Sequence, residues 1–265
     1  MKDDYIYEHC SLGKFMNRFT FNFVCLMCCV LGLLCTNTYA TDGRECIQLI
    51  RSSKYEDAFI SCQKACNLND GYGCVGLGLL YYEGKVVRQD YSQAKAYCEK
   101  SCNLNVGEGC YCFGMLYGEG KGVRQDHSQA KTYYEKACNL NVVEGCYVLG
   151  LLYNEGKGVR QDYSQAKTYY EKVCNLSYGD GCYLLGLLYN EGKGVRQNYS
   201  QAKIYYEKAC NLSSGGGCMG LGLLYYEGKG VQQNTNTAKE YFGKACDFGD
   251  QKGCDNYRAL NERGY

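Results

Sequence analysis

Cysteine stands at positions 74, 110, 146, 182, 218 and 254, and another stands eight positions before each, at 66, 102, 138, 174, 210 and 246. Successive pairs are 36 residues apart. The same text fills each interval, as in GCYVLGLLYNEGKGVRQDYSQAKTYYEKVCNL from Gly145 to Leu176. A period of this length belongs to arrays of two-helix units, each too small to bury its apolar face alone and completed by its neighbours. An elongated all-α array is therefore the expectation. The absence of proline and the 34 glycines suit short helices separated by glycine turns, and 46% apolar residues are enough for a continuous core.

Within a unit, the first helix is expected from Cys146 to about Asn154, with Cys146, Leu149, Gly150 and Tyr153 on one face. Gly150 recurs at 78, 114, 186 and 222. Glycine in a helix interior costs about 1 kcal/mol relative to alanine, so its recurrence points to close approach of a neighbouring helix. Gly156 supplies a C-terminal turn. The second helix is expected to start at the N-cap Asp162, with Gln165 three residues on. It runs through Ala166, Tyr169, Tyr170 and Val173 to Cys174, packing by Ala166 and Tyr169.

Residues 19 to 34, FTFNFVCLMCCVLGLL, form an apolar run preceded by Lys14 and Arg18 and followed by the small-x-small pattern Thr38-Tyr39-Ala40. We read 1–40 as a signal peptide cut after Ala40 and 41–265 as one repeat domain, secreted or periplasmic, with no membrane association after cleavage. A membrane anchor is the rival for such a run. The acidic start makes a poor leader, and Met16 begins a better one. A bulky Leu34 argues against lipid attachment at Cys35. Five of the 21 cysteines, Cys10, Cys25, Cys28, Cys29 and Cys35, precede the cut and leave 16. An even count at regular spacing in an exported chain reads as a disulfide framework.

The expected bridges join the end of one unit's second helix to the start of the next unit's first: Cys66–Cys74, Cys102–Cys110, Cys138–Cys146, Cys174–Cys182, Cys210–Cys218 and Cys246–Cys254. Antiparallel helices across a tight turn bring Cα atoms within bridging range, and each short loop is worth about 2.5 kcal/mol in the chain-entropy model. Cys98 stands where other units have Tyr134, Tyr170 and Tyr206, and Cys112 lies two residues beyond Cys110, so these two are expected to pair; Cys46 and Cys62 remain for each other by elimination. Zinc is the rival for regularly spaced cysteines, but beyond the cut two-residue spacings are missing and His127 is alone. No metal or cofactor is expected.

The combination of G-C-x3-G-x2-Y, E-G-x-G-V and A-x2-Y-Y-x-K-x-C, over about residues 45 to 260, resembles the Sel1-like repeat proteins, relatives of the tetratricopeptide arrays. More narrowly it is similar to the Helicobacter cysteine-rich proteins. The resemblance implies a right-handed superhelix of helix pairs, export, and an assignment as penicillin-binding proteins or weak β-lactamases. The chain departs from the pattern at Val86, where the loop glycine recurs, at Cys98 and Cys112, and in a last unit without a full second helix.

The text SQAK at Ser92, Ser128, Ser164 and Ser200 has the S-x-x-K spacing of serine β-lactamases, but no S-D-N element, K-T-G strand or histidine cluster accompanies it. These serines fall at helix starts and are expected to be solvated, and no catalytic residue is assigned. A ligand is expected instead on the concave face lined by the first helices. The stripe displaced from the core stripe is Tyr147, Leu151 and Asn154, with counterparts Tyr111, Met115 and Gly118, then Tyr183, Leu187 and Asn190, then Met219, Leu223 and Tyr226. We single out Tyr111, Tyr147, Asn154, Tyr183, Asn190 and Tyr226. The asparagines suit a carboxylate or a peptide backbone; the alternative is that they satisfy carbonyls at their own helix ends. The function read from these features is a monomeric binding scaffold for a peptide, cell-wall fragment or host protein. The alternative, carried by the resemblance, is a β-lactam hydrolase. A net charge of +1 with interleaved signs gives no footprint for nucleic acid.

Overall fold

The computed structural model describes residues 42–265. The export segment, the cut after Ala40 and the start at Met16 lie outside the described residues. The described chain is helical throughout, with no strand: α1 Gly43–Arg51, α2 Tyr55–Asn67, α3 Gly71–Glu83, α4 Tyr91–Asn103, α5 Gly107–Glu119, α6 His127–Asn139, α7 Val143–Glu155, α8 Tyr163–Asn175, α9 Gly179–Glu191, α10 Tyr199–Asn211, α11 Gly215–Glu227, α12 Thr235–Asp247 and α13 Gln251–Glu262. Six antiparallel pairs and a terminal helix stack into a right-handed superhelical solenoid. Each helix packs on the next in sequence, and the closest further approaches join first helices, α1 to α3, α3 to α5, α9 to α11 and α11 to α13. First helices therefore line the inner side and second helices the outer side.

Local chemistry sets the starts of the second helices from α4 onward and the ends of the first helices from α3 to α11. The Asp162 carboxylate accepts from the Ser164 and Gln165 amides at 2.9 and 3.0 Å, which starts α8. Gly156 ends α7 in the left-handed conformation, φ 73°. Val143–Glu155 is longer at both ends than the expected first helix, because the turn after Cys138 closes within four residues through Asn141, also left-handed. Near the other end of three second helices, α4, α6 and α8, a lysine reaches back one unit: Lys100 Nζ donates to the Cys66 carbonyl at 2.9 Å, Lys136 Nζ to that of Cys102 at 2.8 Å and Lys172 Nζ to that of Cys138 at 2.6 Å. The Cys138 and Cys102 carbonyls already accept the turn amides of Asn141 and Asn105, each at 3.0 Å, so the lysine adds a second bond that ties adjacent units.

Eight disulfides cross the stack: the six eight-residue pairs, Cys46–Cys62 and Cys98–Cys112. All sixteen cysteines of the described residues are thereby bonded, with Cα atoms 4.7 Å apart in Cys138–Cys146.

The core of a unit combines Cys146, Leu149 and Leu152 of α7 with Ala166, Tyr170 and Val173 of α8, all buried. Tyr170, and not Tyr169, occupies the buried face beside Ala166. The burial direction of α8 runs through residues 166, 170 and 173–174, so Tyr169 is rotated to the edge, half-buried and stacked on Tyr153 at 5.7 Å between ring centroids. Glycine at 150 answers to that ring: a Cβ there would lie 2.4 Å from Tyr170 Cε1. The close neighbour is an aromatic side chain inserted from the unit's own second helix. Gly114, Gly186 and Gly222 receive Tyr134, Tyr206 and Phe242 in the same way. Gly78 faces the Cys98 Sγ instead, and beside it Phe113 replaces the leucine of other units within one cluster that also contains Cys112.

Candidate functional site

Ser92, Ser128, Ser164 and Ser200 are all exposed on the first turn of their helices. In three of the four motifs the lysine is paired with a glutamate one turn further along the helix. Lys167 pairs with Glu171 at 2.9 Å, Lys131 with Glu135 at 3.2 Å and Lys203 with Glu207 at 2.8 Å. The Glu171 hydrogen bond pushes the Lys167 ammonium above its ordinary value, the Glu207 bond does the same for Lys203, and for Lys131 the Tyr153 hydroxyl contributes most, followed by Glu135. A lysine that is to accept a serine proton must be neutral, and these are held charged. Ser164 does border an open cleft of about 680 Å³ between units, together with Lys131, Tyr153, Arg160 and Asp162. An equivalent cleft recurs one unit earlier at Lys95, Tyr117, Arg124 and Asp126. Both are loop-edge gaps generated by the repeat.

On the inner face, Tyr111, Tyr147 and Tyr183 are half-buried and packed against other tyrosines. Tyr111 leans on Tyr134 at 5.8 Å, Tyr183 on Tyr206 at 5.9 Å, and Tyr147 meets Tyr178 edge-on at 5.8 Å. Asn154 and Asn190 are half-buried, and Tyr226 is more open, its hydroxyl accepting from Arg263 Nη1 at 3.4 Å. The asparagine amides do not cap their own helices. The carbonyls of Asn154 and Asn190 accept instead from the side chains of Gln161 and Gln197, each at 2.8 Å, and Gln89, Gln125 and Gln233 repeat the bond. This role of the glutamine in V-R-Q-D was not read from the sequence, although its invariance across the units carried the signal.

Two further sets of groups escaped the sequence reading. Tyr134, Tyr170 and Tyr206 thread from the second helices through the glycine slots to the floor of the inner face, and desolvation pushes all three phenols above their ordinary value. The Tyr170 hydroxyl is buried without a hydrogen-bond partner, an uncommon state for a buried donor. The second set is Glu108, Glu144 and Asp180, at one register position on three successive first helices and in no ion pair among the described residues.

The Sel1 repeat profile matches residues 71–106, 108–142, 143–178, 179–214 and 216–250, more than half of the chain. Among curated proteins, Beta-lactamase HcpA of Helicobacter pylori is 41% identical over 70 residues, which is 24% of this chain and 28% of that protein. Two solved structures are similar with a TM-score of 0.71 each. One is a protective antigen present in uropathogenic Escherichia coli strains, 25% identical over 78% of this chain; the chain spans 44% of that one. The other is a Sel1 repeat protein from Oxalobacter formigenes, 22% identical over 84% of this chain and 98% of that one. Five matched repeats on a solenoid of helix pairs, with a bridged cysteine pair at every junction, carry the conclusion that this chain belongs to the Sel1 repeat family.

Proposed function

We propose that the protein is an exported scaffold that holds an extended partner, a peptide or cell-wall fragment, along the inner face of its first helices. The observation that supports this most is the contrast between two stripes of the same helices. The stripe facing the second helices repeats almost without change, whereas the inner stripe varies from Tyr82 and Gly118 to Asn154, Asn190 and Tyr226. Variation along a groove-facing stripe, beside a nearly constant core stripe, suits a surface fitted to a ligand. Eight disulfides are consistent with residence in an oxidising compartment outside the cytoplasm. Among the described residues no helix is long and apolar enough to cross a membrane.

The test is titration of extended peptides and muropeptides into fully oxidised protein. Asn154→Ala with Asn190→Ala is expected to weaken binding while leaving the melting temperature nearly unchanged, since neither amide supports its helix end. Unchanged affinity in the double variant moves the site away from these residues.

The hydrolase reading has one support, the name of the curated relative that matches over a quarter of its length. It is decided by turnover of a chromogenic cephalosporin, with mass spectrometry for an acyl adduct. Replacing Ser92, Ser128, Ser164 and Ser200 together by alanine is expected to leave any activity in place. An adduct on one of them, with activity lost in its alanine variant, would make the motif a nucleophile.

A further inference from the structure

Position 118 is where the inner stripe loses its side chain. Its counterparts are Tyr82, Asn154, Asn190 and Tyr226. A Cβ at Gly118 would lie 3.3 Å from the Tyr134 hydroxyl oxygen. Tyr134 is correspondingly 6% exposed, whereas Tyr170 and Tyr206, at the same place in the next two units, are 1% and 2% exposed. The missing side chain thus leaves Tyr134 the most open of the three phenols, in contrast to Tyr170, whose hydroxyl is sealed. Within the described residues that hydroxyl has no hydrogen-bond partner, because the nearby polar groups are bonded to each other: the Tyr82 hydroxyl donates to Glu119 Oε2 at 2.6 Å.

The walls of this niche already hold an ammonium. Lys121 Nζ donates to the Tyr82 hydroxyl at 2.8 Å, pairs with Glu119 at 2.9 Å and lies 4.6 Å above the Tyr82 ring centroid. Carboxylate, phenol oxygen and ring face are the groups that suit a cation. Tyr111 joins the niche to the rim, within electrostatic reach of both Glu119 and Glu144. The rim carries carboxylates, in the first turns of α5, α7 and α9, that have no ion-pair partner among the described residues. Glu119, Glu155 and Glu191 each have a lysine partner, whereas Glu108, Glu144 and Asp180 have none among the described residues, and Asp180 only accepts from Ser214 Oγ.

We infer that the niche at Gly118 takes a primary ammonium and that the partner on the inner face is a basic extended peptide, one lysine entering against Tyr134 and Tyr111 while further cations meet Glu144 and Asp180. The inference rests on the reading of the inner face as the binding surface and adds the chemistry of the occupant. The lysine stem lies against the tyrosine rings, and its ammonium donates to the Tyr134 and Tyr111 oxygens.

The experiment is fluorescence anisotropy of a labelled oligolysine, with labelled oligoglutamate and a neutral peptide of equal length, on oxidised protein at physiological ionic strength. Two charge-neutral variants separate the niche from diffuse attraction. Gly118→Asn reproduces the arrangement of Asn154 over Tyr170, and Tyr134→Phe that of Phe242 beneath Gly222, so both fit folds already present in the chain. Each is expected to weaken oligolysine by about tenfold, the scale of a lost hydrogen bond to a charged group. Glu144→Gln with Asp180→Asn is expected to weaken it as well and to flatten its salt dependence. Oligolysine binding that is indifferent to Gly118→Asn and Tyr134→Phe overturns the niche. A neutral or acidic peptide that binds better, and is lost in the Asn154 and Asn190 double variant, overturns the cationic occupant while the scaffold reading stands. Failure of every peptide to bind overturns the cationic occupant, and failure of muropeptides in the same assay overturns the scaffold reading as well.

Discussion

Glycine at 150 is expected to be worth keeping only while Tyr170 is present, and a double-mutant cycle tests this. Two effects of opposite sign act when Gly150 becomes alanine. Helix propensity favours alanine by about 1 kcal/mol in a helix interior. Against it, the new Cβ falls 2.4 and 2.6 Å from Tyr170 Cε1 and Cδ1. The ring cannot retreat, since Tyr170 is 1% exposed. Overpacking of this kind costs about 1–3 kcal/mol, so Gly150→Ala alone is expected to destabilise by about 1 kcal/mol net. Tyr170→Ala alone costs more, about 3–5 kcal/mol for an emptied aromatic site. In the Tyr170→Ala background the overpacking disappears and only propensity remains, so the same Gly150→Ala change is expected to stabilise by about 1 kcal/mol. The sign reverses, with a coupling energy of about 2 kcal/mol. Urea unfolding of oxidised protein followed by circular dichroism measures all four corners, with a constant slope as the check that the unfolded state is shared. Gly150→Ala destabilising equally in both backgrounds would refute the assignment of the glycine to the ring.

Val86 occupies the loop position held elsewhere by Gly122, Gly158, Gly194 and Gly230, and it keeps their left-handed backbone at φ 67°. A β-branched residue is strained there by about 1–2 kcal/mol, so Val86→Gly is expected to raise the melting temperature. Gly158→Val is expected to lower it strongly, because its Cβ would fall 2.2 Å from His127 Cβ. Alkylation without reduction, followed by digestion, is expected to find no free thiol beyond residue 41 and to yield Cys98–Cys112 as a linked pair beside Cys102–Cys110; free thiols or a bound zinc ion would contradict it. Burial raises the Tyr134, Tyr170 and Tyr206 phenols in the folded chain, whereas the unfolded chain ionises near the ordinary value of about 10. Above that pH the unfolded state binds fewer protons, so stability falls as pH rises. The fall in an alkaline denaturation series is expected to be smaller for Tyr170→Phe.

The sequence by itself determined the architecture, because its evidence is local and repeated. A 36-residue period with one capped second helix and one glycine-terminated first helix per interval leaves stacked helix pairs as the way to bury both apolar faces. Cysteines eight apart across a tight turn are within bridging distance in any such stack. Exposure of the SQAK serines was legible for the same reason, since Asp162 and Ala166 define the capped and buried directions of α8. What adjacent apolar residues do was not legible: Tyr169 and Tyr170 differ by one helical step, and periodicity assigns both to the apolar side. The neighbouring helix decides between them, since only Tyr170 points into the slot that Gly150 leaves open. The floor beneath the inner face was hidden for a related reason, because its phenol rings come from the outer helices and enter through the glycine slots. A stripe drawn on α7 alone cannot contain Tyr170, and one drawn on α5 alone shows Gly118 as a gap without the Tyr134 hydroxyl beside it. Those juxtapositions join side chains of different helices, and only their packing in three dimensions brings them together.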